Sequence, residues 1–316
     1  MSIERKHYHY LTVLVFNIAL FFVLYHWFSG HLSLRYFVVD VRHLTYLSFI
    51  LVSALYLINI MIAAWRFSSL MNCDYSQALN ITCVMYGLNN LLPFRAGDVL
   101  SPLFAKRVYG FDIPETLMVT FLSRYLDLIV LMVLGGILVL SRSTENDSYI
   151  VYLLTILFTL SLIAVALYRS LILRPGKMRE YCLNSPFLAS LLNSVERIMA
   201  QPEKWRLVLM SGFLWFSVLL VYYLFFHINL PLAQFTLADA ILLLFTTTMC
   251  FAIPYSIAGI GIFETAIVYC LVKFSGVAGT NALALAIGFH FACTLPQVIP
   301  MFFVLARFRH KLLKSM

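Results

Sequence analysis

The 316-residue chain is 62% hydrophobic and only 11% charged, with a mean hydropathy of +0.90, well above the roughly 45–50% apolar content of a soluble domain. That balance excludes a water-soluble enzyme or nucleic-acid-binding domain. The formal net charge of +8 follows topology instead: Arg169 to Arg206 holds seven Lys/Arg against three acids, and the segment after Ala306 holds four against none, as expected of cytoplasmic loops.

Apolar runs near the roughly 20 residues needed to cross a bilayer follow in chain order. With the N-terminus inside, Tyr10–Phe28 goes outward as a retained anchor, Ser29–His43 is an outer loop, and Leu44–Ala64 returns to a cytoplasmic Trp65-Arg66. Gln77–Pro93 is apolar but short. It carries Asn80, Asn89 and Asn90 and ends in Leu92-Pro93-Phe94-Arg95-Ala96-Gly97-Asp98. A crossing follows within Pro114–Leu140, then the outer loop Ser141–Ser148, Ile150–Tyr168 inward, the basic cytoplasmic loop 169–206 and Val208–His227 outward. Ala238–Pro254 is again short and is followed by Tyr255-Ser256-Ile257-Ala258-Gly259-Ile260-Gly261-Ile262-Phe263-Glu264, after which Ala282–Phe308 returns to the cytoplasm. The reading is an all-α, polytopic transmembrane bundle, one domain over residues 1–316, in the cytoplasmic (inner) membrane. It has about six full crossings, two broken-helix or re-entrant hairpins, and both termini inside.

The hairpins look like copies. Asp98 and Glu264, Arg107 and Lys273, Gly110 and Gly276, and Arg124 and His290 are each 166 residues apart. An odd number of crossings between the units, approximately 77–140 and 238–308, makes the copies inverted. Short, Gly/Pro-interrupted segments in matching positions of inverted repeats point to a transporter's central site. A helix stopped at Pro93 or Pro254 frees backbone groups that only protein or a wet cavity satisfies within a membrane.

Candidate site residues follow from this. Asp98, and Glu264 behind Gly259 and Gly261, sit where a new helix begins. They are either headgroup or ion sites at the positive helix ends or plain N-caps. Arg124 and Asp127 share a helical face within an apolar stretch. Either they neutralise each other, or Arg124 holds a phosphate that Asp127 orients. Arg95 is a candidate headgroup contact, while Lys106 and Arg107 are read equally as a cationic approach or as snorkelling side chains. His290 is either hydrogen-bonded structure or a proton-coupling group. Trp27, Tyr36, Trp65, Trp205 and Trp215 read as interfacial belt or packing. The six scattered cysteines have no metal-binding spacing, so neither metal nor cofactor is expected, and no nucleophile–base set marks an enzyme.

Taken in order, Trp65-Arg66, Asn89-Asn90-Leu91-Leu92-Pro93-Phe94-Arg95-Ala96-Gly97-Asp98, Arg107-x-x-Gly110, Arg124-x-x-Asp127 and Pro254-Tyr255-Ser256-x-x-Gly259-x-Gly261-x-x-Glu264 resemble the lysylphosphatidylglycerol synthase transmembrane-region family of flippase-like membrane proteins. The likeness spans nearly the whole chain and departs from the usual pattern at Ser101, Ser123 and Ala258. It implies lipid translocation, with a phospholipid or polyisoprenyl-linked glycolipid as partner and a glycosyltransferase-pathway protein as a further one. The soluble aminoacyl-transfer domain is not part of this sequence, so synthase activity is not carried over. The expected function is a flippase-like transporter for a lipid with a polar, phosphate-containing headgroup. The alternatives are a small-solute or ion-coupled transporter, and a membrane scaffold for a glycosyltransferase.

Overall fold

The computed structural model describes residues 45–141, 183–200, 204–230, 235–251 and 259–313, with single positions at 159, 163 and 180. The expected crossings Tyr10–Phe28 and Ile150–Tyr168 (apart from Thr159 and Ile163), the loop Ser29–His43, residues 142–148 and Pro254–Ala258 lie outside the described residues.

Every regular element among the described residues is helical. In chain order they are α1 (Tyr46–Met71), α2 (Tyr75–Leu91), a short 3-10 turn (Pro93–Arg95), α3 (Ala96–Tyr109), α4 (Ile113–Ser141), α5 (Pro186–Ala200), α6 (Lys204–Asn229), α7 (Leu237–Phe251), α8 (Ile262–Ser275) and α9 (Gly279–Leu313). Four of them, α1, α4, α6 and α9, are long and apolar enough to cross a membrane.

Their outward faces carry helical stripes of exposed apolar side chains: Ile50, Leu57, Met61 and Trp65 on α1, Trp205, Leu209, Phe213 and Phe216 on α6, and Phe291, Leu295, Ile299 and Phe302 on α9. Surfaces this apolar are not left to water, and their spacing of one or two helical turns is that of a helix turning one face to lipid. The chain is a multi-pass membrane protein.

The helices run in defined directions. α1 and α6 are antiparallel: the Thr45 N–H donates to Asn229 Oδ1 (2.9 Å) at one end, and Asn59 Nδ2 donates to Leu214 O (3.1 Å) midway. At the opposite, basic end, α4 begins with Glu115 paired to Arg197 of α5. There α9 also finishes, with Lys311 Nζ donating to Val108 O at 3.1 Å.

Both arms of the first hairpin, α2 and α3, open at this basic end, where Asn80 Nδ2 donates to Tyr109 Oη at 2.7 Å. The turn between them has a local cause. Leu92 is extended (ψ 146), as a residue before proline prefers, and Phe94 and Arg95 take left-handed φ values of 61 and 49 before α3 begins.

The second hairpin opens at the other end. There Phe235, just before α7, packs its ring 5.4 Å from Phe226 near the end of α6, and α8 finishes beside the start of α9. A Thr236–Asp239 capping box starts α7: the Thr236 N–H donates to Asp239 Oδ2 (2.8 Å) and the Asp239 N–H to Thr236 Oγ1 (3.3 Å). The second arms, α3 and α8, each end on a left-handed glycine, Gly110 (φ 80) and Gly276 (φ 65), the conformation that closes a helix without a Cβ clash.

Two apolar clusters hold these hairpins. One, with Phe225, Phe226, Phe245, Ile267 and Phe289, seats α7 and α8; the other, with Phe67, Leu70, Ile81, Phe104 and Met301, seats α2 and α3.

Candidate functional site

The first hairpin turns back inside the bundle without crossing it. Its tip acid, Asp98, accepts from Arg124 Nη2 at 2.7 Å and from Arg124 Nε at 3.3 Å. Arg124 lies about 16 Å from Ile113 along α4, a helix about 43 Å long at 1.5 Å per residue.

Asn89, at the end of α2, locks the same carboxylate. Its Nδ2 donates to Asp98 Oδ1 (2.8 Å), and its Oδ1 accepts the Asp98 backbone N–H (3.2 Å). The orphan donor at the start of α3 is thus capped by a side chain from the preceding helix. Arg95 completes the tip. Its Nε is 3.6 Å from Asp98 Oδ2 and its side chain is 45% exposed.

Asp127 has a different principal partner from the one its spacing suggests. Arg124 Nη1 approaches Asp127 Oδ2 only to 3.5 Å, whereas Arg66 donates to both carboxylate oxygens, Nη1 to Oδ1 at 2.6 Å and Nη2 to Oδ2 at 3.3 Å. Trp215 Nε1 adds a third donor at 3.0 Å, and Ser211 Oγ accepts from Arg66 Nη1 at 2.9 Å.

This corrects two sequence expectations. Arg66 does not emerge at the cytoplasm: α1 continues to Met71, and Arg66 is 2% exposed. Trp215 is a hydrogen-bond donor to the charged cluster as well as a packing group. Trp65 and Trp205, in contrast, remain exposed on their helices, as belt residues are.

Around Asp98 and Asp127 the cluster therefore contains three guanidinium groups, Arg66, Arg95 and Arg124, and two carboxylates, a net excess of one positive charge. The Tyr86 ring lies 5.9 Å from the Arg124 guanidinium carbon. Asn90 Nδ2 donates to Gln297 Oε1 at 3.0 Å, tying the hairpin to α9.

The second tip has its own pair. Gly259 and Gly261, with φ 74 and 87, form the turn into α8, and the Gly261 N–H donates to Glu264 Oε2 at 2.7 Å. The other oxygen, Glu264 Oε1, lies 2.5 Å from His290 Nδ1 on α9. Glu264 is thus both the expected N-terminal cap and one half of a partly buried acid–imidazole pair. The Phe263 ring packs 4.8 Å from that of His290.

Of the residues singled out in the sequence, Arg95, Asp98, Arg124 and Asp127 come together at the first tip, and Gly259, Gly261, Glu264 and His290 at the second. Lys106 and Arg107 lie in the last turn of α3, toward the basic end. Among the described residues no group of three or more His, Cys, Asp or Glu is placed to hold a metal ion. Cys83, Cys270 and Cys293 are buried and not joined in disulfides.

A helical multi-pass membrane protein with charged side chains carried into the bundle by a helical hairpin is the class this fold and site define. The family described as the lysylphosphatidylglycerol synthase TM region matches residues 12–300, and the chain belongs to that family. No curated protein and no solved structure matches the chain significantly.

Proposed function

We propose that this protein is a flippase-like transporter that carries a lipid with a phosphate-containing headgroup across the cytoplasmic membrane. The observation that carries the reading is the cation excess at the first hairpin tip, about 16 Å in from the basic end of α4 and partly open. The Arg95, Arg124 and Asp98 side chains are 45%, 24% and 20% exposed. Beside Arg95 the open face of α3 presents Val99 and Leu103, 60% and 42% exposed. A cationic site rimmed by exposed apolar side chains suits a substrate with an anionic head and hydrocarbon tails better than a free ion in water. Unaided, such a head loses its hydration in the hydrocarbon core; Arg95 and Arg124 replace part of it with charge-assisted hydrogen bonds.

The two hairpin units act as inverted copies in this reading. Supporting that are their openings at opposite ends and the matched ladder of Asp98, Gly110 and Arg124 against Glu264, Gly276 and His290. Rocking one unit against the other would expose the site to each side in turn. The charge bias of the loops favours both termini in the cytoplasm. The chain acts as a carrier and not as an enzyme, and any glycosyltransferase-pathway protein would be its partner.

The test is reconstitution into liposomes containing NBD-labelled phosphatidylglycerol, with dithionite quenching as the readout, beside radiolabelled phosphate as a soluble anion. Wild-type protein is expected to move the lipid and not the phosphate. Arg124→Ala and Glu264→Gln, properly inserted, are expected to slow it by about tenfold or more, the scale of losing one charge-assisted contact. Equal rates in both variants would remove these residues from the site. Phosphate uptake without lipid movement would move the assignment to a small-solute transporter.

A further inference from the structure

We infer that Arg66 is a positioning residue of the anion site: by occupying Asp127 it keeps that carboxylate from neutralising Arg124. The inference rests on the transporter reading above and concerns how the same site holds its charge.

Asp127 stands at i,i+3 from Arg124 on α4, a spacing at which an arginine and an aspartate ordinarily pair. Here the pair is stretched to 3.5 Å, while Arg66 from α1 grips both oxygens at 2.6 and 3.3 Å. This fork-on-carboxylate arrangement is one that guanidinium makes and ammonium does not. Trp215 Nε1 takes a further place on Oδ1 at 3.0 Å. Arg66 is held from behind by Ser211 Oγ (2.9 Å), whose own hydroxyl proton goes to Leu207 O (2.9 Å). Both partners are buried, with side chains 3% and 9% exposed, so water does not compete for either.

The charge balance then divides into two layers. The inner layer, Arg66 with Asp127, is neutral. The outer layer is Arg95 and Arg124 against Asp98, one positive charge in excess, and it is the layer with exposed side chains. Without Arg66 the cation left beside Asp127 is Arg124, already 3.5 Å away on the same helix face and free to shift from Asp98 toward it. Arg95 and Arg124 would then face Asp98 and Asp127, and the excess that recruits an anion would vanish. Arg66 need not touch the lipid to control its binding.

The experiment compares NBD-phosphatidylglycerol translocation in proteoliposomes for wild type, Arg66→Gln, and Arg66→Gln/Asp127→Asn. Arg66→Gln is expected to be slower by about tenfold or more, and adding Asp127→Asn is expected to return the rate to within about threefold of wild type, because the second change removes the carboxylate that captured Arg124. Raising substrate density should partly restore Arg66→Gln, since the loss lies in anion affinity. A double variant as slow as Arg66→Gln would overturn the inference. If Arg66→Gln alone fails to give a monodisperse protein, the double variant decides: replacing both members of a buried ion pair is commonly tolerated, so a folded, active double supports the inference. A folded double at least about tenfold slow, or a double that also fails to fold, overturns it, since Arg66 would then be holding the bundle together. Wild-type protein that moves no labelled lipid refutes the transporter reading itself, an outcome distinct from each of these.

Discussion

Glu264 Oε1 stands 2.5 Å from His290 Nδ1, 26 residues further along the chain. Asp98 Oδ1 stands 2.7 Å from Arg124 Nη2, also 26 residues further along. In both units the acid opens the second arm of a hairpin and its partner lies on the long helix that follows. The two tips share a connection but not a charge: one partner is a permanent cation, the other an imidazole, which becomes a cation only when protonated.

The Asp98–Arg124 contact uses two guanidinium nitrogens, Nη2 and Nε, at 2.7 and 3.3 Å. Arg124→Lys keeps the charge but reaches the carboxylate at a single point. Lipid translocation should fall by roughly tenfold, less than for Arg124→Ala, while the variant stays folded. Dithionite quenching in proteoliposomes checks this. A lysine variant as fast as wild type would show that charge alone is used.

The opposite openings of the hairpins have a consequence for labelling. Lys106 lies in the last turn of α3 at the basic end, and Lys273 in the last turn of α8 at the other; both are exposed. In a background without native cysteines, Lys106→Cys should react with a membrane-impermeant maleimide from the cytoplasmic side and Lys273→Cys from the opposite side. Reaction of both from one side would refute the inverted arrangement.

The sequence carried the hairpins because their signals are local. A proline followed by a glycine and then an acid marks each break within a short stretch, Pro93 to Asp98 and Pro254 to Glu264, and the common offset of 166 identifies the partners that meet the acids, Arg124 and His290. Arg66 was not legible in this way. It follows an apolar run and reads as a cytoplasmic arginine at the end of a crossing; its burial depends on Asp127, 61 residues away, and on Ser211, 145 residues away. The Arg124–Asp127 spacing showed only part of the arrangement: the i,i+3 contact is present at 3.5 Å, but it is weak and the tertiary donors Arg66 and Trp215 hold Asp127 more closely. Trp215 and Asn89 bind carboxylates through N–H groups whose direction no periodicity records.

Gly97 sits where the two arms of the first hairpin are in close contact. A Cβ there would lie 2.1 Å from Met85 O and 2.7 Å from Asn89 Oδ1, pressing on both the backbone of α2 and the amide that locks Asp98. Gly97→Ala should therefore destabilise by about 1–3 kcal/mol, the usual cost of forcing an extra carbon into a packed site. It should also slow transport by displacing Asp98. Gly136, with nothing within 4 Å of its would-be Cβ, is the control: Gly136→Ala should be neutral or stabilise by about 0.5–1 kcal/mol. Thermal inactivation in detergent separates them, and equal stability of the two variants would show that the arms are not in close contact at Gly97.

Arg95 offers a way to separate binding from folding. Its φ of 49 and ψ of 43 are left-handed, a conformation that costs a side-chain-bearing residue about 1–2 kcal/mol. Its contact with Asp98 is long, 3.6 Å, and half open to the surroundings, so it returns little of that cost. A cation kept in an unfavourable backbone conformation is explained by what it does at the tip. Asparagine tolerates left-handed φ better than most residues and carries no charge. Arg95→Asn should leave stability unchanged or raise it by up to about 1 kcal/mol, while lipid translocation falls because one of the two exposed guanidinium groups is gone. Undiminished translocation would mean that the headgroup does not meet Arg95. A clear loss of thermal stability would mean that the residue is retained for the turn itself.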